Sequence, residues 1–383
     1  MKRTFLKNFA AVALLWVFAT PLEAKDKYVA YLFTYFTGNR VAEEQIRYAL
    51  STDGWNYTPM NNGNPVIASD TIALKKAVRD PHILRGEDGY FYQVITDMAS
   101  SQGWSSNRGM VLMRSRNLIN WEHHAIHFPD RYKDTKFARV TRVWAPQTIY
   151  DKAAGKYMVY FSLLTDDGSI PYDKVFYAYA NKDFSDFEGE PVEMFDVQSA
   201  AIDTDIVQDD EGVYHIFYKT EGGSKGIRKF TGTQLTNSKE WVLQDGYCQD
   251  TNEAVEGSGV FRLFDGTWVL MYDCYMNGHY QFCKSTDLKT FKAVQNTKTS
   301  GAFTPRHGTV IAITRQELDL LKAWESLRLA TDDLKVRAVP TLSLYQLDNR
   351  QRMLDELEHT LRQPASLKAY KAQQKRLDAF FAK

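Results

Sequence analysis

A chain of 383 residues is long enough to bury a large core in one or two domains. Its 47 basic residues balance its 47 acidic ones, which argues against a nucleic-acid binder or a protein held on an anionic membrane. Aromatics make up 14% of the chain, with 22 Tyr, 22 Phe and 8 Trp, a composition that suits a β-rich core.

Residues 1–24 read as a secretory signal peptide. Lys2, Arg3 and Lys7 form a basic start, Phe9 to Thr20 an apolar run too short for a membrane span, and Ala24 a small residue at the cleavage end. Leu22 fits the cleavage pattern poorly and leaves the cut position open. The expected location is therefore periplasmic or secreted, with no membrane attachment after cleavage. The cysteines are Cys248, Cys274 and Cys283, with no C-x-x-C pair. They read either as three buried thiols or as a Cys274–Cys283 disulfide across neighbouring strands, and their spacing suggests no zinc site.

Tyr28–Thr37 reads as a strand, and Glu43–Ser51 fits helix or strand equally by period. A hairpin pattern then occurs four times: a short strand, a Gly turn and an aromatic strand. The copies begin at Val78-Arg79-Asp80-Pro81, Trp144-Ala145-Pro146-Gln147, Ile202-Asp203-Thr204-Asp205 and Val255-Glu256-Gly257. Asp80 to Asp88, Gln147 to Gly155, Asp203 to Glu211 and Glu256 to Asp265 are spacings of eight, eight, eight and nine residues. A second phrase recurs between these hairpins: Ser51-Thr52-Asp53-Gly54-Trp55, Ser115-Arg116-Asn117, Asn181-Lys182-Asp183, Asn237-Ser238 and Ser285-Thr286-Asp287. Its Asp or Asn folds onto nearby amides while an aromatic anchors the turn. Such regular recurrence marks an internal repeat of four short antiparallel strands. Units of that kind bury both faces by packing radially, which predicts an all-β, five-bladed β-propeller. Arg306-His307-Gly308-Thr309 opens the fifth inner strand. The 51–57 turn precedes the first inner strand, so the N-terminal strands are expected to complete the last blade and close the ring.

After Thr314 the pattern becomes helical. Arg315–Leu329 carries Leu320, Leu321, Trp324 and Leu327 on one stripe, and Asp348–Leu361 and Ser366–Phe381 are amphipathic segments split by Pro364. The expected organisation is a leader over 1–24, a propeller over 25–315 and a C-terminal α-helical extension over 316–383. The extension reads as a hairpin packed on the propeller or as a dimerisation arm, and the oligomeric state stays open.

Inner strands of a propeller converge at one mouth, so Asp80, Asp203 and Glu256 are expected to meet there. A lone Asp before a hairpin is ordinarily a turn residue. Three acids brought to one mouth raise one another's pKa, an arrangement that suits a reaction site.

The ordered phrases Asn64-Pro65-Val66, Arg79-Asp80-Pro81, Trp144-Ala145-Pro146, Ile202-Asp203, Val255-Glu256-Gly257 and Arg306-His307-Gly308 resemble glycoside hydrolase family 43, over roughly residues 28–325. That resemblance implies an inverting hydrolase of arabinose or xylose linkages, with Asp80 as general base, Asp203 as the residue that tunes and orients the acid, and Glu256 as general acid. The flanking small residues Gly257 and Ser258 suit a raised pKa at Glu256. Inversion places base and acid roughly 6.5–9.5 Å apart. Where the family pattern carries Asp after W-A-P, this chain has Gln147. Arg79 reads as a charge keeping Asp80 ionised or as a structural ion-pair partner. Arg306 reads as a partner for sugar hydroxyls or for a carboxylate of the site. Trp144 and Trp104 are candidate substrate contacts, with Arg79, Gln147 and Arg306. His307 reads as a core histidine, or, by the resemblance, as a channel ligand for structural Ca2+. No cofactor is required. The partner expected is an oligo- or polysaccharide, and the leading activity is release of terminal α-L-arabinofuranose from plant polysaccharide. The alternatives are β-xylosidase, endo-arabinanase or β-galactofuranosidase activity, or a carbohydrate-binding propeller without catalysis.

Overall fold

The computed structural model describes residues 28–221, 226–294 and 303–383. The leader expected over 1–24 lies outside the described residues. The first three strands, β1 (Tyr28–Phe36), β2 (Arg47–Ser51) and β3 (Thr58–Pro59), form no blade of their own. They extend the last strand of the chain, β20 (Arg306–Thr314), in the order β20-β1-β2-β3. The segment that fitted helix or strand by period is thus strand from Arg47 onward, because its apolar face is needed in that sheet.

Blade I contains β4 (Val78–Arg85), β5 (Phe91–Asp97), β6 (Gly109–Ser115) and β7 (Glu122–His127), followed by the short helix α1 (Phe128–Arg131). Blade II contains β8 (Val140–Asp151), β9 (Lys156–Thr165), β10 (Lys174–Tyr179) and β11 (Val192–Phe195). Blade III contains β12 (Ala201–Gln208), β13 (Tyr214–Thr220), β14 (Gly226–Gly232) and β15 (Val242–Leu243). Blade IV contains β16 (Glu256–Arg262), β17 (Trp268–Cys274), β18 (His279–Ser285) and β19 (Lys292–Ala293). Blade V is completed by β20 (Arg306–Thr314). These five four-stranded sheets are the five-bladed β-propeller that the repeats predict. Neighbouring inner strands touch all the way round, β20 against β4 included.

The repeated turn works as its residue types require. Ser51 Oγ accepts the Gly54 amide at 2.8 Å, and Asp53 Oδ1 accepts the amides of Trp55 and Asn56, each at 2.8 Å. Ser115 with Asn117 and Ser285 with Asp287 repeat the arrangement. Apolar cores then fill the wedges between blades, with the rings of Phe33, Tyr57, Tyr280, Phe282 and Phe303 packed between blades IV and V.

Helix α2 (Arg315–Val336) starts where β20 ends and carries a capping box between Thr314 and Glu317. It runs past the sequence estimate by seven residues. With α3 (Leu344–Arg362) and α4 (Leu367–Phe381) it buries Leu318, Leu321, Trp324, Leu354, Leu357 and Leu377 in one core with Leu32, Tyr48, Ile83 and Ile95 of the ring. Arg85 forms a two-pronged ion pair with Glu317, at 2.7 and 2.8 Å. The extension therefore packs on blades V and I near the carboxyl end of β20, away from the mouth at the amino ends of the inner strands. No helix among the described residues is long and apolar enough to cross a membrane. All three cysteines are free thiols.

Candidate active site

The mouth is shaped by one irregularity repeated in four blades. Inner and second strands slip register between Arg79 and His82, Trp144 and Gln147, Ile202 and Asp205, and Glu256 and Gly259. Within each slip one residue is left-handed: Asp80 (φ 51°), Ala145 (φ 46°), Asp203 (φ 52°) and Gly257 (φ 64°). Bulges of this kind bend a strand and re-aim its side chains. Gly257 is the one position of the four where a Cβ has no room, since it would lie 2.7 Å from the His307 side chain.

This pattern corrects the register suggested by the hairpin spacings. Gly257, not Glu256, is the counterpart of Asp80 and Asp203, and Glu256 lies one residue earlier, level with Arg79, Trp144 and Ile202. The nine-residue spacing at Glu256 reflected that offset. Ala145 likewise takes the place assigned to Gln147. Gln147 falls two residues deeper, level with His82 and Asp205, and is 1% exposed. With its amide nitrogen turned inward it donates to Asp205 Oδ1 at 2.6 Å, Thr204 O at 3.0 Å and Tyr160 Oη at 3.1 Å. It is a strut of the channel beneath the mouth, not a sugar contact. Burial pushes Asp205 up to about 7, and the Gln147 amide gives its carboxyl a neutral donor in place of water.

Asp80, Asp203 and Glu256 line one cavity of about 60 Å³ together with Arg79, Trp104, Trp144 and His307. Larger concavities, of about 390 and 200 Å³, lie along the helical extension, well away from these acids. Asp80 Oδ2 accepts the Thr96 hydroxyl at 2.9 Å, and that hydroxyl accepts the Ala145 amide at 2.9 Å. Burial works to raise the Asp80 pKa, but the hydrogen bond and charge of His307, the Arg79 charge and Thr96 outweigh it and hold the carboxyl below its usual range. His307 Nδ1 lies 3.4 Å from Asp80 and 3.8 Å from Asp203. Burial opposes the charge on His307, yet Asp203 and Asp80 push it up to about 9, so it stands as an imidazolium between two carboxylates.

Asp203 Oδ2 accepts the Gly257 amide at 2.8 Å, and its carbonyl accepts the Ser258 hydroxyl at 2.9 Å. It thereby grips the backbone immediately after Glu256. Burial and the Asp80 charge raise its pKa. Glu256 keeps 23% side-chain exposure through the cavity and accepts Arg306 Nη2 at 3.0 Å. Burial and the neighbouring Asp203 push Glu256 up to about 7, against the pull of Lys219 and Arg306.

Arg306 sits behind Glu256, bonded to both Glu256 and Asp273, so it serves a carboxylate of the site. Arg79 pairs with buried Glu44 at 3.0 Å and bonds Asn39 at 2.9 Å, while its guanidinium lies 4.5 Å from the Phe36 ring and 5.2 Å from Trp104. It fixes a cavity wall and supplies charge to Asp80. Trp104, 49% exposed, meets Trp144 edge to face at 6.4 Å. The Trp144 indole N–H is buried without an acceptor among the described residues, which leaves it free to donate to a bound molecule.

Sequence reasoning missed Lys219 and Asp273. Lys219, 1% exposed, lies 3.8 Å from Glu256 and also pairs with Glu221. Asp273 is equally buried and holds Arg306. The signal was a charged residue at or near the end of an apolar second strand, YHIFYKT in β13 and WVLMYDC in β17. His307 Nδ1 faces Asp80 and Asp203 as an ion-pair partner, so of the His307 ring only Nε2 is left for the channel ligand role that the resemblance implies.

No curated protein matches the chain by sequence. By structure it is similar to a glycoside hydrolase family 43 β-1,3-galactosidase bound to galactodeoxynojirimycin, with 13% identity and a TM-score of 0.50 over 70% of this chain and 92% of that one. It is also similar to a thermostable family 43 hydrolase (23% identity, TM-score 0.45, 58% of this chain and 73% of that one). A family 43 enzyme from Xanthomonas citri in complex with xylotriose is similar at 15% identity and a TM-score of 0.45, over 60% and 74% of the two chains. A family model described as "Probable glycosyl hydrolase domain", of the type related to glycoside hydrolase family 43, matches residues 26–319. A match spanning the whole ring identifies this chain as a member of the family 43-related glycosyl hydrolases.

Proposed function

We propose that this protein is an inverting exo-glycosidase in which Glu256 is the general acid, Asp80 the general base and Asp203 the residue that orients Glu256 and raises its pKa. One observation carries this reading: two carboxyl groups on one small cavity are biased to opposite protonation states, Glu256 toward the acid and Asp80 toward the carboxylate. Glycoside hydrolysis needs that division of labour. Glu256 gives its proton to the departing oxygen. Asp80 takes a proton from water as that water attacks the anomeric carbon from the opposite face. Asp203, bonded to the Gly257 amide, keeps Glu256 in place and disfavours early loss of its proton.

The cavity is compact and walled by Trp104 and Trp144, which suits a terminal sugar better than the middle of a chain. The cations around it are already paired: Arg79 with Glu44, Arg142 with Asp173, Arg306 with Glu256 and Asp273, and Lys219 with Glu221. A neutral sugar therefore suits the site better than a uronic acid. The resemblance makes α-L-arabinofuranose the first candidate, with β-xylose and β-galactose next. Export with loss of residues 1–24 belongs to the proposal and is tested by cell fractionation and N-terminal sequencing.

The deciding experiment is a panel of arabinofuranosides, xylosides and galactosides, with proton NMR of the anomeric signal in the first minutes of turnover. An α-arabinofuranoside should release the β-sugar first. An initial α-product, or a glycosyl-enzyme trapped on Asp80, would overturn the roles assigned here; no turnover of any member would overturn the enzyme reading.

A further inference from the structure

One cluster of metal-binding side chains stands apart from the acids. Cys274 ends β17 and His279 begins β18, and the two are direct partners across that hairpin. Side chains of such a pair project on the same face with Cβ atoms about 4.5–5.5 Å apart. The intervening turn is pinned by the Asn277 and Gly278 amides, which donate to the Cys274 carbonyl at 2.8 and 3.1 Å. Glu253 arrives from the loop before β16. One donor atom from each of the three lies within 4.8 Å of the others.

The distances suit one small tetrahedral ion. Glu253 Oε2 lies 3.4 Å from His279 Nε2. Zinc bonds of about 2.0–2.1 Å to oxygen and nitrogen at tetrahedral angles separate those two ligands by about 3.3 Å. A second observation points the same way: Glu253 Oε2 is buried and has no hydrogen-bond partner among the described residues. Its neighbours are the Cys274 thiol and the His279 ring, and a cation shared by all three would satisfy it more fully than either. Cys274 is fully buried, while Glu253 and His279 keep 35% and 40% side-chain exposure, so an ion can reach the cluster from solvent.

We infer that Glu253, Cys274 and His279 form a binding site for a soft divalent cation, of which Zn2+ best matches one thiolate, one imidazole and one carboxylate. The protein supplies three ligands and leaves the fourth position to water. On binding, the Cys274 thiol passes its proton to solvent and the thiolate sulfur bonds the metal, with no change of oxidation state. Because Cys274 follows Asp273, which holds Arg306 against Glu256, the ion ties down the strand end that supports the proposed acid. Its role there is positional.

The test uses the purified chain stripped with chelator, then titrated with Co2+ and Zn2+. One equivalent of Co2+ should produce a near-ultraviolet thiolate-to-cobalt band, Zn2+ should displace it, and Zn2+ should raise the Tm. Cys274→Ser should abolish the band. His279→Ala and Glu253→Gln, on more exposed side chains, should each weaken Zn2+ binding at least tenfold. Cys248→Ser should bind as the parent does. Absence of a stoichiometric site in the parent, or unchanged affinity in both His279→Ala and Glu253→Gln, would overturn the proposal even if Cys274→Ser failed to fold.

Discussion

At the residue scale, the site is a network of coupled charges: His307 between Asp80 and Asp203, Asp203 beside Glu256, and Glu256 between Lys219 and Arg306. Neutralising one member moves its neighbours. Glu256→Gln keeps the shape and removes the proton donor, so turnover of substrates with poor leaving groups should fall by about 10²–10⁴-fold. Activated phenolate leaving groups should suffer less, and equal loss on both classes would exclude Glu256 as the acid. The pH profile follows from the same groups. Asp80 must be ionised and is held low, so the acidic limb should lie below the ordinary carboxylate range. Glu256 must be protonated and is pushed up to about 7, so activity should fall as pH rises through that region. Lys219 opposes the protonated form of Glu256. Lys219→Met should therefore move the alkaline limb of kcat/KM to higher pH, with Lys219→Arg restoring its position. A merely structural lysine would lower activity without moving the limb.

At the element scale, the inner strands owe their use to the bulge. A regular strand would send alternate side chains along the channel wall; the left-handed residue re-aims the strand at the mouth. Asp is among the few residues that tolerate this conformation, so Asp80 and Asp203 meet conformational and chemical needs together. At Gly257 the φ of 64° and the 2.7 Å approach to His307 exclude a side chain. Gly257→Ala should destabilise by about 1–3 kcal/mol from backbone strain, measured by denaturant unfolding. It should also displace His307 and lower kcat with the acids intact. Unchanged stability and rate would refute the bulge as the device that shapes the mouth.

At the scale of the whole molecule, the ring is closed by pairing the two ends of the propeller, β20 with β1. The fit is close: a Cβ on Gly308 would lie 2.0 Å from the Thr34 carbonyl oxygen. Arg306 and His307 open that same closing strand, one serving Glu256 and the other Asp80, so closure and site assembly are one event. Deleting residues 25–51 should leave β20 with an unpaired edge, abolish cooperative unfolding and eliminate activity. Calorimetry and turnover of the shortened chain check this, and a soluble, active product would refute it. The helices share a core with blades V and I, so they belong to the same folding unit as the ring.

The sequence by itself determined the blade count, the closure and the meeting of Asp80, Asp203 and Glu256 at one mouth, because turn chemistry and strand alternation are local and repeat with the blade. Ser51, Ser115 and Ser285 act within their own turns, and Asp80 and Asp203 are legible wherever the strands lie. What only the tertiary structure decided is which residues face one another across the ring. The extra residue in the Glu256 hairpin spacing marked an offset, but only the strand pairing showed its meaning: Glu256 precedes its bulge while Asp80 and Asp203 occupy theirs. Hairpin spacing could not place Gln147 beneath the mouth, Lys219 beside Glu256, or Glu253 against Cys274 and His279. Those neighbours come from different strands and loops, and their electrostatics depend on burial and distance, which exist only once the ring has closed.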